Sequence, residues 1–191
     1  MKQSDKSRQI ENGTSSSMIL RAVGIIKNDV KKPFLVAGDN GIEIAEQVTT
    51  AVTNYYETLR AVSEIVIYDK WIDLIEGIEK YSHLVVLYWA HQVPEESRSL
   101  TRVHPMGRKD FPLVGIFSTC SPARPNPVLI KVVKLCGRKG NSLYVTGLDA
   151  LNESPVLDIK PYVKEFYPHQ DVLVPEWMQR IIREFGEGNG I

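Results

Sequence analysis

At 191 residues, with 43% apolar and 24% charged residues, the chain can bury one proper core and is too short for two ordinary ones. Lysine plus arginine and aspartate plus glutamate both count 23, so no net field advertises a nucleic-acid partner, and such a partner would have to meet a local patch. The two cysteines, Cys120 and Cys136, make no disulfide framework, no apolar run follows Met1-Lys2-Gln3-Ser4-Asp5-Lys6, and the longest apolar stretch, Leu84 to Ala90, is too short for a bilayer, so the expectation is a cytoplasmic protein without a membrane segment.

Residues 1–17 are polar and end in Ser15-Ser16-Ser17, a composition that cannot offset its own ordering entropy and reads as a disordered N-terminal arm. Met18 to Lys27 is aliphatic and β-branched and stops before the turn-prone Asn28-Asp29, so a strand is expected. From Ile42 to Val62, apolar residues recur at threes and fours through Val48, Ala51, Val52, Tyr55 and Leu59, which predicts an amphipathic helix opened by Asp39-Asn40-Gly41. Ser63 to Tyr68 reverts to a strand, Trp71, Leu74, Ile75 and Ile78 suggest a helix ending near Lys80-Tyr81, and His83 to Ala90 suits a strand buried on both faces. Leu113 to Ser118, Val128 to Cys136 and Ser142 to Leu148 are further strand candidates, the last two joined by a turn at Gly137 to Asn141. These strands outline a small barrel or curled sheet of mainly β (α+β) class. Pro175 to Phe185 reads as one helix, followed by a flexible Gly186 to Gly190.

Three prolines lie within six residues of Ser121-Pro122-Ala123-Arg124-Pro125-Asn126-Pro127. Fixed φ angles make that loop rigid, and it presents Arg124 and Asn126 at set angles beside a core strand, either as a ligand loop or as a barrel-corner turn. Gly147 to Tyr162 places Asp149, Asp158 and Lys160 among apolar residues, where charges need partners; Asp158 and Lys160 read as a structural pair that stiffens the loop, while Asp149, at a strand end, has the better claim on a ligand. His91-Gln92 follows the central strand, where a structural histidine is the alternative to a functional one. Cys120, near Arg124, is expected to be buried and inert rather than activated. No residues stand at metal-ligand spacing, and no GxGxxG unit, phosphate loop or GxSxG elbow is present.

Five blocks in order, Gly24-Ile25-Ile26, Leu74 to Leu84, His91-Gln92, Ser121 to Pro127 and Pro155 to Tyr162, resemble the TsaA-like domain of the TrmO family over roughly residues 18–165. The resemblance implies an S-adenosylmethionine-binding β-barrel with a helical insertion at about 40–62 and a C-terminal extension at 166–191. It also implies a homodimer that methylates N6 of threonylcarbamoyladenosine at position 37 of tRNA. Cofactor contacts are implied at His91, Gln92, Cys120, Ile130, Asp149, Ala150, Leu151 and Asn152, with Asp149 also the candidate proton acceptor. Arg124, Asn126, Asp158, Lys160 and Tyr162 are implied as substrate or loop-organising residues.

The chain departs from the family pattern at Cys120, where an arginine is usual, at Val128-Leu129 in place of Ile-Gly, and at Asn152-Glu153-Ser154 in place of Asp-Gly-Thr. A Pro-Arg-Gln segment is missing after the first strand. Losing an arginine removes a bidentate carboxylate partner that cysteine cannot replace. Three readings stay open: a tRNA methyltransferase, a methyltransferase of another acceptor such as a small molecule, and a non-catalytic S-adenosylmethionine-binding module. Arg98, Arg102, Arg108, Lys109, Lys131, Lys134, Arg138 and Lys139 could meet phosphates if they share a face, or could be scattered solvated charges.

Overall fold

The computed structural model describes residues 19–32, 35–38, 41–44, 55–168 and 170–186. Six strands close an antiparallel barrel: β1 (Gly24–Lys27), β4 (Ser63–Ile67), β5 (His83–Trp89), β8 (Val128–Lys139), β9 (Ser142–Thr146) and β10 (Pro155–Pro161). Around the barrel the order is β1, β10, β5, β8, β9, β4, with β4 pairing back onto β1. Closure removes exposed edges, which is how a short all-antiparallel sheet avoids offering unpaired backbone. Outside the barrel lie two small hairpins, β2 (Leu35–Gly38) with β3 (Gly41–Ile44) and β6 (Arg102–Val103) with β7 (Val114–Gly115).

The central strand is where the sequence places it. Leu84, Val86 and Tyr88 of β5 face inward, opposite Val133, Lys131 and Leu129 of β8, and the inward positions of β1, β4, β9 and β10 complete an apolar core that includes Ile26, Ile65, Leu143, Val145 and Val156. Period-two alternation puts one half of each strand in this core. Gly24 is needed at the β1–β4 seam, because a Cβ there would lie 2.5 Å from the Val66 carbonyl oxygen.

Several expectations are corrected. Residues 41–44 form β3, with Gly38 opposite Gly41, and not the first turn of a helix. The two-residue spacing of Ile42 and Ile44 is the strand period, and the described helical residues here are 55–60 (α1). The predicted strand at 113–118 shrinks to the two residues of β7 followed by a 3-10 turn at Ile116–Ser118, so it is no barrel stave. Strand β10 forms where a loop was expected, and the first strand starts at Gly24, well after Met18. Trp71 to Lys80 is built of two 3-10 segments, Asp69–Ile75 and Ile78–Lys80, interrupted by the left-handed Gly77. Strand β8 runs on to Lys139, leaving a tight turn at Gly140-Asn141. The C-terminal helix α2 (Glu176–Gly186) matches its expected span. The expected N-terminal arm at 1–17 and residues 187–190 of the expected tail lie outside the described residues, as does the whole 45–54 stretch of the predicted helix, while Gly186 closes α2.

A second, smaller cluster joins Val103, Ile116 and Ala123, with Val93 and Leu100 against them. Helix α2 is tied to this region through Phe111, which is 3% exposed and packs near Trp177. The guanidinium carbons of Arg108 and Arg180 stand 4.2 and 5.2 Å from its ring centre. Arg108 also pairs with Asp110 and Glu184, and Arg180 with the same two carboxylates. Among the described residues, no helix is long and apolar enough to cross a membrane.

Candidate functional site at the barrel mouth

Antiparallel pairing brings the C-terminal ends of β1, β5 and β9 to the same rim as the starts of β4, β8 and β10. The connections that carry polar residues therefore converge there. Asp149, in the connection from β9 to β10, is the hub. Its Oδ1 accepts from the Tyr88 hydroxyl at 3.0 Å, and its Oδ2 accepts from Lys131 Nζ at 2.9 Å and from the Tyr55 hydroxyl at 3.3 Å. Lys131 Nζ also donates to the Tyr55 oxygen at 2.9 Å. The side chains of Lys131 and Asp149 remain 26% and 27% exposed, so the pair is held in the barrel end yet open to a ligand.

The electrostatics follow from this half-burial. Burial works to lower the pKa of Lys131, but the attraction of Asp149 and hydrogen bonds to Tyr55 and Asp149 outweigh it and leave the ammonium more firmly protonated than usual. Burial, reinforced by the negative charge of Asp149, pushes the hydroxyls of both Tyr88 and Tyr55 up, so both stay protonated donors.

The connection itself is clamped to β1. Asn28 Nδ2 donates to the Ala150 carbonyl at 2.9 Å and to Ser63 Oγ at 3.2 Å, while the Asn28 amide donates to Asn152 Oδ1 at 3.1 Å. The Asn152 amide reaches the Val30 carbonyl and the Glu153 amide the Ile26 carbonyl. Glu153 sits at φ 65°, the left-handed position for which glycine is favoured. Ala150 and Ser154 are buried, and Ser154 Oγ stands 3.2 Å from His91 Nδ1, which ties the end of β5 to the start of β10.

The structure thus gathers His91, Asp149, Ala150, Leu151 and Asn152 at one rim, with Gln92 exposed beside His91. The proline-rich loop enters the same rim, since the Ala90 amide donates to the Pro127 carbonyl. Within that loop the Arg124 guanidinium donates to the carbonyls of Ser121 at 2.7 Å and Thr119 at 2.6 Å, so it organises its own loop; Asn126 is exposed. Cys120 is exposed, contrary to the buried cysteine expected: Ser121 and Ala123 turn inward and the chain carries Cys120 outward.

Other residues lie elsewhere. Ile130 is 63% exposed on the outer face of β8, opposite Leu87, while its neighbour Lys131 points inward. Asp158 and Lys160 pair with each other on the outer face of β10, placed there by a bulge between Val156 and Asp158. Tyr162 belongs to the opposite end of the barrel, stacked on Tyr167 at 5.1 Å with His83 edge-on. Four of the basic positions do not share a face: Lys131 is inside the mouth, Arg138 is bound at the far hairpin to the Ile75 carbonyl and Glu79, and Arg98 and Arg108 are paired in the β6–β7 region. Tyr88, Lys131, Tyr55 and Asn28 were missed as site residues. For Tyr88 the legible signal was a hydroxyl within an otherwise apolar strand, whereas the side on which Lys131 stands needed the register of β5 against β8.

The tRNA-methyltransferase O N-terminal domain model matches residues 54–167. The S-adenosyl-L-methionine-binding protein of Archaeoglobus fulgidus is 37% identical over 148 residues, covering 78% of this chain and 91% of that protein. The human tRNA (adenine(37)-N6)-methyltransferase is 37% identical over 99 residues, covering 52% of this chain and 22% of the human protein. Among solved structures, TrmO from Pseudomonas aeruginosa superposes with a TM-score of 0.57 at 23% identity, over 82% of this chain and 61% of that one, a likeness of fold. With the family model spanning more than half of the chain and the described barrel carrying the matched motifs, the chain belongs to the tRNA-methyltransferase O N-terminal domain family.

Proposed function

We propose that the barrel mouth binds S-adenosylmethionine and that the chain is a methyltransferase whose acceptor is N6 of threonylcarbamoyladenosine at position 37 of tRNA. The observation that carries the reading is the convergence on one rim of His91, Asp149 and the clamped 149–154 connection, within a family whose relatives are named for binding S-adenosylmethionine or methylating adenine 37. The donor set fits the cofactor: a carboxylate complements a sulfonium, and hydroxyl, imidazole and backbone groups suit a ribose and an adenine edge.

When bound, S-adenosylmethionine supplies an electrophilic methyl group. What remains for the chain is alignment of the acceptor nitrogen in line with the carbon–sulfur bond and exclusion of water, which together account for most of what such a transfer requires. Attack by the nitrogen lone pair on that methyl group would leave the nitrogen one proton to give up to solvent. Asp149, expected from the sequence to take that proton, is better placed to hold the cofactor. It already takes three hydrogen bonds, one from an ammonium, so orientation and electrostatic stabilisation are its principal work.

A small-molecule acceptor is the second reading. It is favoured by the internal pairing of Lys131, Arg108 and Arg138, which removes cations that would otherwise contact phosphates. A homodimer is part of the proposal, with the exposed Ile130 and Val132 on the outer face of β8 as candidate contacts and sedimentation as the check. The deciding experiment incubates the protein with labelled S-adenosylmethionine and tRNA bearing threonylcarbamoyladenosine, then analyses the nucleosides. One added methyl on that nucleoside supports the tRNA reading; cofactor binding with no label in any tRNA nucleoside overturns it in favour of another acceptor.

A further inference from the structure

Lys131 lies outside the five blocks that resemble the family, yet it stands at the centre of the mouth. We infer that Lys131 and Asp149 together form the receptor for an α-amino-acid zwitterion, namely the methionyl end of the cofactor, with Lys131 taking the carboxylate and Asp149 the ammonium. The inference rests on the proposed binding of S-adenosylmethionine at this rim.

The hydrogen-bond inventory leaves room for this. An ammonium has three donors, and Lys131 commits two, to the Tyr55 oxygen and to Asp149. An ionised carboxylate offers about four lone-pair sites, and Asp149 receives three donors, from Tyr88, Tyr55 and Lys131. Each member of the pair can therefore accept one more partner without surrendering those that hold it in place. The two tyrosine donors matter for the same reason: Asp149 stays anchored when Lys131 turns part of its charge toward a ligand.

Charge arrangement then selects the ligand. Lys131 and Asp149 are opposite charges 2.9 Å apart, both about a quarter exposed. A lone carboxylate approaching Lys131 meets repulsion from Asp149, and a lone amine approaching Asp149 meets repulsion from Lys131. A zwitterion set antiparallel to the pair satisfies both, and charge-assisted bonds of this kind are roughly twice as strong as neutral ones. Discrimination comes as much from these repulsions as from the attraction. The pair also supplies a cation for the cofactor carboxylate at a site where the Cys120 loop has none to spare, because Arg124 is spent on the carbonyls of Thr119 and Ser121.

Calorimetric titration of the full chain with three ligands tests this. S-adenosylmethionine carries the whole zwitterion, decarboxylated S-adenosylmethionine lacks the carboxylate, and 5′-methylthioadenosine lacks the amino-acid end altogether. The wild-type protein is expected to prefer S-adenosylmethionine over the decarboxylated form by about tenfold or more, the scale of one charge-assisted bond. Lys131→Met should abolish that preference while leaving methylthioadenosine affinity unchanged, and Lys131→Arg should retain most of it. Equal weakening of all three ligands by Lys131→Met would make Lys131 a scaffold residue and overturn the inference, as would a preference that survives the substitution. Wild-type protein that binds methylthioadenosine and S-adenosylmethionine equally well removes the inference alone; wild-type protein that binds neither removes the methyltransferase reading with it.

Discussion

The barrel and the segment between β5 and β8 are stabilised by different means. In the barrel, Ile26, Ile65, Leu84, Val86, Leu143 and Val156 are fully inaccessible and pack across strands that are far apart in sequence. In the 93–127 segment, the separate cluster has three buried members, Val103, Ile116 and Ala123, and order comes instead from prolines, short side-chain-to-backbone bonds around Thr119, Ser121 and Arg124, and the Phe111 contact with α2. Burial of apolar surface escapes charge screening and scales with the area removed from water; ion pairs at the surface are screened and individually weak. A rigid barrel rim carrying a more locally stabilised loop suits a site whose fixed groups lie on the strands and whose outer wall lies on the loop.

The largest expected effect breaks the barrel side of this contrast. Leu84→Ala should cost about 2–5 kcal/mol, the range for emptying a buried leucine site, and should lower the melting temperature of the whole molecule in one transition. Phe111→Ala comes next because its loss, at about 3–5 kcal/mol, is confined to its own region, where it removes a buried ring together with two cation–π partners. Hydrogen exchange should then rise in 93–127 and α2 while β5 and β8 keep their protection. A uniform loss of protection would show that the two regions unfold as one.

Tyr88→Phe is smaller, at about 1–3 kcal/mol, since it deletes one hydrogen bond to a carboxylate. It carries a sharper signature in pH. Unfolded tyrosines lose their proton near pH 10 (about the reference value), whereas burial and Asp149 keep native Tyr88 and Tyr55 protonated beyond it. The native state then holds more protons than the unfolded one, so stability falls as pH rises above about 10. Tyr88→Phe should flatten that alkaline decline in a melting-temperature profile; an unchanged slope would mean that Tyr88 is not held by burial as described. Smallest of all is Arg180→Ala. It removes two exposed ion pairs and one cation–π contact and is expected to lower the melting temperature slightly in dilute buffer and less in molar salt.

Much of the barrel was legible in the sequence because burial imposes short-range periodicity. The alternation through 63–68, the continuous apolar run at 83–90 and the paired strands at 128–148 all mark their elements directly. The helix expected from Ile42 failed at its start because Ile42 and Ile44, two residues apart, follow the strand period, while the spacing read as helical came from residues further along. Strand β10 was hidden by its charges: Asp158 and Lys160 look anomalous in a core segment until the bulge shows that both point to solvent.

The sequence by itself determined the β class, the core strands and the motif blocks that place the chain in its family, because these depend on local pattern and residue order. It also singled out Asp149 and His91. Only the tertiary structure decided what surrounds them. Tyr55, Tyr88, Lys131 and Asp149 lie on four separate stretches of chain, and they meet because the barrel closes with its connections at a common rim. Closure likewise sends Ile130 outward and Lys131 inward from adjacent positions, a one-residue difference that linear reading has no means to orient until the register of β5 against β8 is set.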